Sequence, residues 1–251
     1  MPRRSLPKIQ GNLDLSRYFI PMELEFADSR VDPETAALAT PGDGADKVAR
    51  VPYAEFANLT GDELAIKLFG RVAPLEFEIG SGKGLFISRE ASRRPDRNFL
   101  GVEIAYRYAL ISATRLAKKG VANGVMMNAD AAKVLRDVVP TNSLAAAHIY
   151  FPDPWWKKSH RKRRIVRPDV VRMIEERLIP GGILHFWTDV QEYFESGVEI
   201  IKLSTNLRGP FSVICDQTLD GHSDLDFHSH FERRARLGET PVWRSYFVKP
   251  R

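Results

Sequence analysis

From Leu75 onward the chain alternates short apolar runs with amphipathic stretches, and the runs end on glycines, acids or amides. Leu75–Ile79 leads into Gly80-Ser-Gly-Lys-Gly84, and Phe99–Val102 ends in Glu103. Gly124–Met127 ends in Asn128-Ala-Asp130, and Ala145–Phe151 runs into Pro152-Asp-Pro154. Helical patterning runs from after Gly84 to about Arg93, over Tyr106–Lys119, after Asp130, and from Gln191 to about Leu203. Another helix fits Pro168–Leu178, where proline suits a first turn. Gly181-Gly182 is expected to break the chain before a fifth run, Ile183–Trp187. Phe211–Cys215 and Val242–Val248 read as closing strands. Repeated strand–helix units of this kind give a mostly parallel sheet with helices on both faces. In such a sheet, ligands bind at the carboxyl ends of the strands.

At 251 residues the chain is long enough for one full core and an extension. Residues 1–72 lack the alternation. Asp32–Lys47 is poor in large apolar residues and reads as a loop, whereas Tyr18-Phe-Ile and Tyr53-Ala-Glu-Phe are apolar enough to dock. Asp62–Phe69 reads as a short helix capped by Thr60 or Asp62. The expected division is an extension over 1–72, partly flexible and docked on a core of 73–251. Cys215 is the only cysteine, which excludes an intramolecular disulfide and fits a reduced, cytoplasmic setting. Met1-Pro-Arg-Arg is not followed by the apolar segment of a secretory signal, and no apolar run reaches membrane-spanning length.

The strand ends carry the chemistry. Gly80-x-Gly82-x-Gly84 allows a tight turn and close backbone approach to a ligand, but it fits neither a P-loop nor a dinucleotide fingerprint. It suits a site with no pyrophosphate to hold. Glu103 is placed to accept hydrogen bonds from ribose hydroxyls, and Asn128 and Asp130 to touch a base. Each alone reads equally well as a helix cap; acids or amides after four consecutive strands favour a nucleoside cofactor without phosphates. Asp153, between two prolines, is expected on a stiff extended stalk, with Phe151 held extended by Pro152. Trp155-Trp156 and a cationic run follow, a combination that suits a polyanion with stackable rings. The two tryptophans fit core packing equally well. The formal net charge of +5 permits an acidic partner, and its concentration near residues 157–167 says more than the total. Asp224, Asp226, His228 and His230 lack strict ligand spacing, so no metal site is expected.

This arrangement resembles the class I S-adenosylmethionine-dependent methyltransferases, whose fold is a Rossmann-like, mostly parallel seven-stranded sheet with an antiparallel last strand. Within them, Phe151-Pro-Asp-Pro-Trp-Trp-Lys157 followed by Arg161-Lys-Arg-Arg-Ile165 resembles the tRNA (guanine-N7-)-methyltransferase family. The resemblance extends to Glu78-Ile-Gly80, Leu100-Gly-Val-Glu103, Thr188-Asp189 and Phe231-Glu232-x-Arg234. It implies methyl transfer from S-adenosylmethionine to N7 of a guanine in the variable loop of tRNA. By matching position it implies cofactor contacts from Glu78, Glu103, Asp130 and Asp153. It implies substrate contacts from Lys157, Asp189, Ser229, His230, Phe231 and Glu232. Ser159, His160, Arg161, Lys162, Arg163 and Arg164 are implied to touch tRNA. Ser229-His230 stands where the family usually has Thr-Lys, so the hydroxyl is kept and lysine is replaced by histidine. An adenine-N6 methyltransferase fits less well, since its motif places two prolines after the acid. A non-catalytic RNA-binding module conflicts with intact acids at the strand ends. No obligate protein partner is expected; the state is monomer or homodimer.

Overall fold

The computed structural model describes residues 13–24, 37–38, 40, 49–155, 163–212 and 241–251. After β1 (Phe19–Pro21) and α1 (Gly61–Phe69) come β2 (Leu75–Ile79), α2 (Leu85–Arg93), β3 (Asn98–Glu103) and α3 (Tyr106–Lys119). Then follow β4 (Gly124–Asn128), α4 (Ala131–Asp137), β5 (Leu144–Tyr150), α5 (Pro168–Arg177) and β6 (Leu178–Thr188). The order closes with α6 (Gln191–Ser204), β7 (Arg208–Ser212) and β8 (Trp243–Val248). Among the described residues these strands form one 8-stranded sheet in the order β1-β4-β3-β2-β5-β6-β8-β7. Only β8 runs against its neighbours, pairing antiparallel with both β6 and β7. From β2 the chain steps through β3 to β4 on one side and returns to β5 on the other, so a topological switch point lies between β2 and β5.

Strand alternation sorts the core into two layers. Leu75, Phe77 and Ile79 of β2, Ala147 and Ile149 of β5, and Leu184 and Phe186 of β6 meet residues of α1, α4, α5 and α6. A second layer packs Ile87 and Ala91 of α2 and Ala109, Ala113 and Leu116 of α3 on Phe99 and Met126. Residues near the amino terminus join both layers: Phe19 in the second, Met22, Tyr53 and Phe56 in the first. β1 is the eighth strand, beyond the seven expected, and pairs parallel with β4, Pro21 opposite Asn128. Thr60 caps α1 in a reciprocal box: its hydroxyl accepts from the Glu63 amide at 3.2 Å, and its own amide donates to Glu63 Oε2 at 2.8 Å.

Two local expectations give way to non-local forces. Gly181-Gly182 does not break the chain; both lie within β6, tied to β8 by Gly181 N–H donating to Lys249 O and Lys249 N–H to Gly182 O, each at 2.9 Å. Of the expected strand Phe211–Cys215, Phe211 and Ser212 lie in β7, which begins earlier, at Arg208; residues 213–215 lie outside the described residues. Phe151 is not extended. Its φ is 49°, because its side chain is buried in the core and its amide donates to Trp187 O at 2.8 Å.

Candidate active site

The turn after β2 is drawn onto β3. Gly80 and Ser81 amides donate to Val102 O at 2.9 and 3.0 Å, and the Gly82 amide donates to Glu103 Oε2 at 2.8 Å. Gly82 has φ 53°, and a Cβ there would meet nothing within 4 Å, so the turn borders open space. Gly84, at φ 71°, is glycine for a second reason: a Cβ would overlap the Ser112 side chain, where α2 and α3 cross.

Carboxyl groups gather at this edge. Glu78 and Glu103 are buried, at 5% and 8% exposure. Burial pushes the Glu78 carboxyl up to about 8; Ser81 and the Ile87 amide oppose this, and the charges of Glu103 and Glu90 add to it. Glu78 Oε2 is buried with no hydrogen-bond partner among the described residues. Burial also raises Glu103, against hydrogen bonds from the Ala105 and Gly82 amides and with a further push from the Asp153 charge. Each Glu103 oxygen accepts one amide, Oε1 from Ala105 and Oε2 from Gly82, both at 2.8 Å. A carboxylate offers about four acceptor positions, which leaves capacity for a diol. Asn128 is buried, and its amide group donates to Glu103 O at 3.1 Å and Ile104 O at 2.9 Å. It shapes the β3–α3 turn. Asp130 caps α4, accepting from the Ala132 amide at 2.9 Å.

Asp153 follows β5, on the far side of the switch point. It is exposed, yet the surrounding protein desolvates its carboxyl enough to raise it above its ordinary value. Among the described residues the carboxylate has no hydrogen-bond or ion-pair partner. Its stalk is bracketed by two left-handed residues, Phe151 at φ 49° and Trp155 at φ 40°. Such conformations cost of order 1–3 kcal/mol each and persist where the surroundings over-determine them. Arg163 and Arg164 lie against this stalk. Arg163 stacks on Trp155, its guanidinium carbon 4.7 Å from the ring centre, and Arg164 Nε donates to Pro154 O at 2.7 Å. Asp189 follows β6 at the same edge and is half-buried. The other expected contacts, Lys157, Ser159, His160, Arg161, Lys162 and Ser229, His230, Phe231 and Glu232, lie outside the described residues, as does Trp156.

Sequence reasoning missed a polar network under α2. Glu76, 2% exposed, accepts from Arg94 through both oxygens at 2.8 and 2.9 Å and from Arg97 at 2.9 Å. His148 Nε2 lies 2.9 Å from Glu76 Oε2, and His148 Nδ1 lies 2.9 Å from the Tyr150 hydroxyl. His148 also stacks on His185, ring centres 4.9 Å apart. Burial alone would raise the Glu76 carboxyl, but His148 and Arg94 outweigh it and hold it at about 2. A signal was present: Glu76 and Glu78 alternate with Leu75, Phe77 and Ile79, an acidic face on a strand otherwise apolar.

Sheet order, switch point and the glycine turn beside strand-end acids define the fold of a class I methyltransferase. The chain matches the family described as "Putative methyltransferase" over residues 72–244. A tRNA (guanine-N(7)-)-methyltransferase of Rhodopirellula baltica is 46% identical over 188 residues, covering 72% of this chain and 68% of that protein. One of the same name from Aromatoleum aromaticum is 40% identical over 184 residues, covering 71% and 67%. The chain belongs to the tRNA (guanine-N7-)-methyltransferase family. Among solved structures, the aminoglycoside resistance methyltransferase NpmB1 superposes with a TM-score of 0.51 at 18% identity, over 76% of this chain and 94% of that one, a likeness of fold. No helix among the described residues is long and apolar enough to cross a membrane.

Proposed function

We propose that this chain transfers a methyl group to N7 of guanine in tRNA, with S-adenosylmethionine as donor, in the cytoplasm. The observation that carries the proposal is the set of carboxyl groups across the switch point, Glu78, Glu103 and Asp153, beside the open turn at Gly82. The fit to this donor rests on Glu78 Oε2, a buried acceptor in need of a cation or a proton, and on the unused acceptor positions of Glu103. Glu78 would hold the ammonium and Glu103 the ribose diol, with Asp130 and the Asn128-shaped turn at the base. The bound donor supplies an electrophilic methyl group on a sulfonium.

Guanine N7 carries an in-plane lone pair and no proton, so the protein needs no general base. It needs alignment, which can lower a barrier by roughly 7–11 kcal/mol. Positive charge moves onto the purine during transfer. Asp153, exposed and without a protein partner among the described residues, is free to face that charge, as positioner and charge partner. Asp189 would accept from guanine N1–H and the exocyclic amine. Lys157 and the run to Arg163 would meet tRNA phosphates, and Ser229 to Glu232 the substrate.

The test is methyl transfer to unmodified tRNA transcripts with and without the variable-loop guanine, followed by borohydride–aniline cleavage. Cleavage at that guanine alone is expected; label on the transcript lacking it, with no cleavage, would refute the assignment.

A further inference from the structure

The last arginine of the cationic run points into the protein. Arg164 Nε donates to Pro154 O at 2.7 Å, one residue beyond Asp153, and its guanidinium lies 4.8 Å from the ring centre of Tyr193. Tyr193, on α6, is 1% exposed, and its hydroxyl accepts from the Val166 amide at 3.5 Å. The charges of Asp153 and Arg164 both act on the Tyr193 hydroxyl. Arg164 is half-buried, and it makes no ion pair with Asp153 among the described residues. The stalk it grips holds left-handed residues at either end, Phe151 and Trp155, and so requires outside support. Phe151 has that support from the core and from Trp187 O. At the other end it comes from Arg163 over Trp155 and Arg164 on Pro154.

We infer that Arg164 is a positioning residue for Asp153, acting through the Pro154 carbonyl, and not a phosphate contact. The inference rests on the proposed methyl transfer. It changes what the inner end of the cationic run is: a brace for the Asp153 carboxylate. Loss of a hydrogen bond from a charged donor corresponds to roughly 10- to 150-fold in an equilibrium or rate.

Side-chain chemistry separates the two roles. The donating atom is Nε, and glutamine carries its amide nitrogen the same number of bonds from Cα. Lysine has a methylene there and its charge one bond further out. Single-turnover methyl transfer at saturating tRNA, tRNA affinity at several salt concentrations, and thermal melting are measured for Arg164→Ala, Arg164→Gln and Arg164→Lys. Arg164→Ala is expected to slow transfer by at least roughly tenfold with tRNA affinity within about twofold of wild type. Arg164→Gln should recover more of the rate than Arg164→Lys. The slope of log affinity against log salt should stay unchanged. Rescue by lysine and not glutamine, with the salt slope of the alanine variant reduced by about 0.7–0.9, would mark a phosphate contact and overturn the inference. If alanine unfolds the chain, the glutamine–lysine comparison carries the same decision. Failure of wild type itself to label tRNA would instead refute the proposed reaction.

Discussion

Replacing Glu76 by glutamine keeps the shape of the side chain and removes the charge that joins Arg94, Arg97 and His148. The carboxyl is held at about 2 against an ordinary 4.5. At roughly 1.4 kcal/mol per pH unit, its ionised form stabilises the fold by about 3 kcal/mol at neutral pH. That is an upper value, because Arg94 and Arg97 are about one-third exposed and can return to water when the acid is lost. A loss of about 2–3 kcal/mol is therefore expected, large against a typical total of 5–15. The sign with pH follows from the depressed value. The contribution is full above pH 4.5 and disappears as pH falls through about 2. Urea unfolding of wild type and Glu76→Gln should show that gap at pH 7, narrowing on acidification below about pH 4.5. A gap below about 1 kcal/mol at pH 7, or one that widens in acid, would refute the account of the network.

Asp153→Ala should nearly abolish single-turnover transfer, by at least roughly 100-fold, while the melting temperature holds, since the exposed carboxylate makes no hydrogen bond or ion pair among the described residues. Unchanged transfer would remove Asp153 from the chemistry. Glu78, held at about 8 without ligand, is protonated at neutral pH and must release its proton to meet a cation. Cofactor affinity measured by calorimetry should rise with pH up to about 8, by at most about tenfold per unit, and then level off. Glu78→Gln should flatten the profile, and a flat wild-type profile would sink the assignment of Glu78 to the ammonium.

The strand-end acids were legible because local rules govern them. Glycine after Ile79 and the apolar runs before Glu103 and Asp130 mark strand ends without reference to the rest of the chain. Features decided at a distance were not. Gly181 and Gly182 carry turn chemistry, but hydrogen bonds to Lys249, far along the sequence, keep them in the sheet. Pro152 disfavours a compact Phe151, and core burial with a bond to Trp187 O overrides it. Arg164 sits in a run of like charges that gives no sign of which member turns inward. That is decided by Tyr193 on α6.

The two ends of the sheet finish in different ways. β1 is only three residues long, and Val51 closes over its outer side, its amide donating to Pro21 O at 2.8 Å and its carbonyl accepting from Glu23 at 3.0 Å. At the opposite end β7 carries Pro210, which has no N–H to offer, and the charge of exposed Arg208. Among the described residues neither margin presents the long row of open donors and acceptors that recruits another strand. The segment that closes the β4 side lies ahead of residue 72, where the family match begins. A chain trimmed to that match would keep the strand-end acids and gain an adhesive flank.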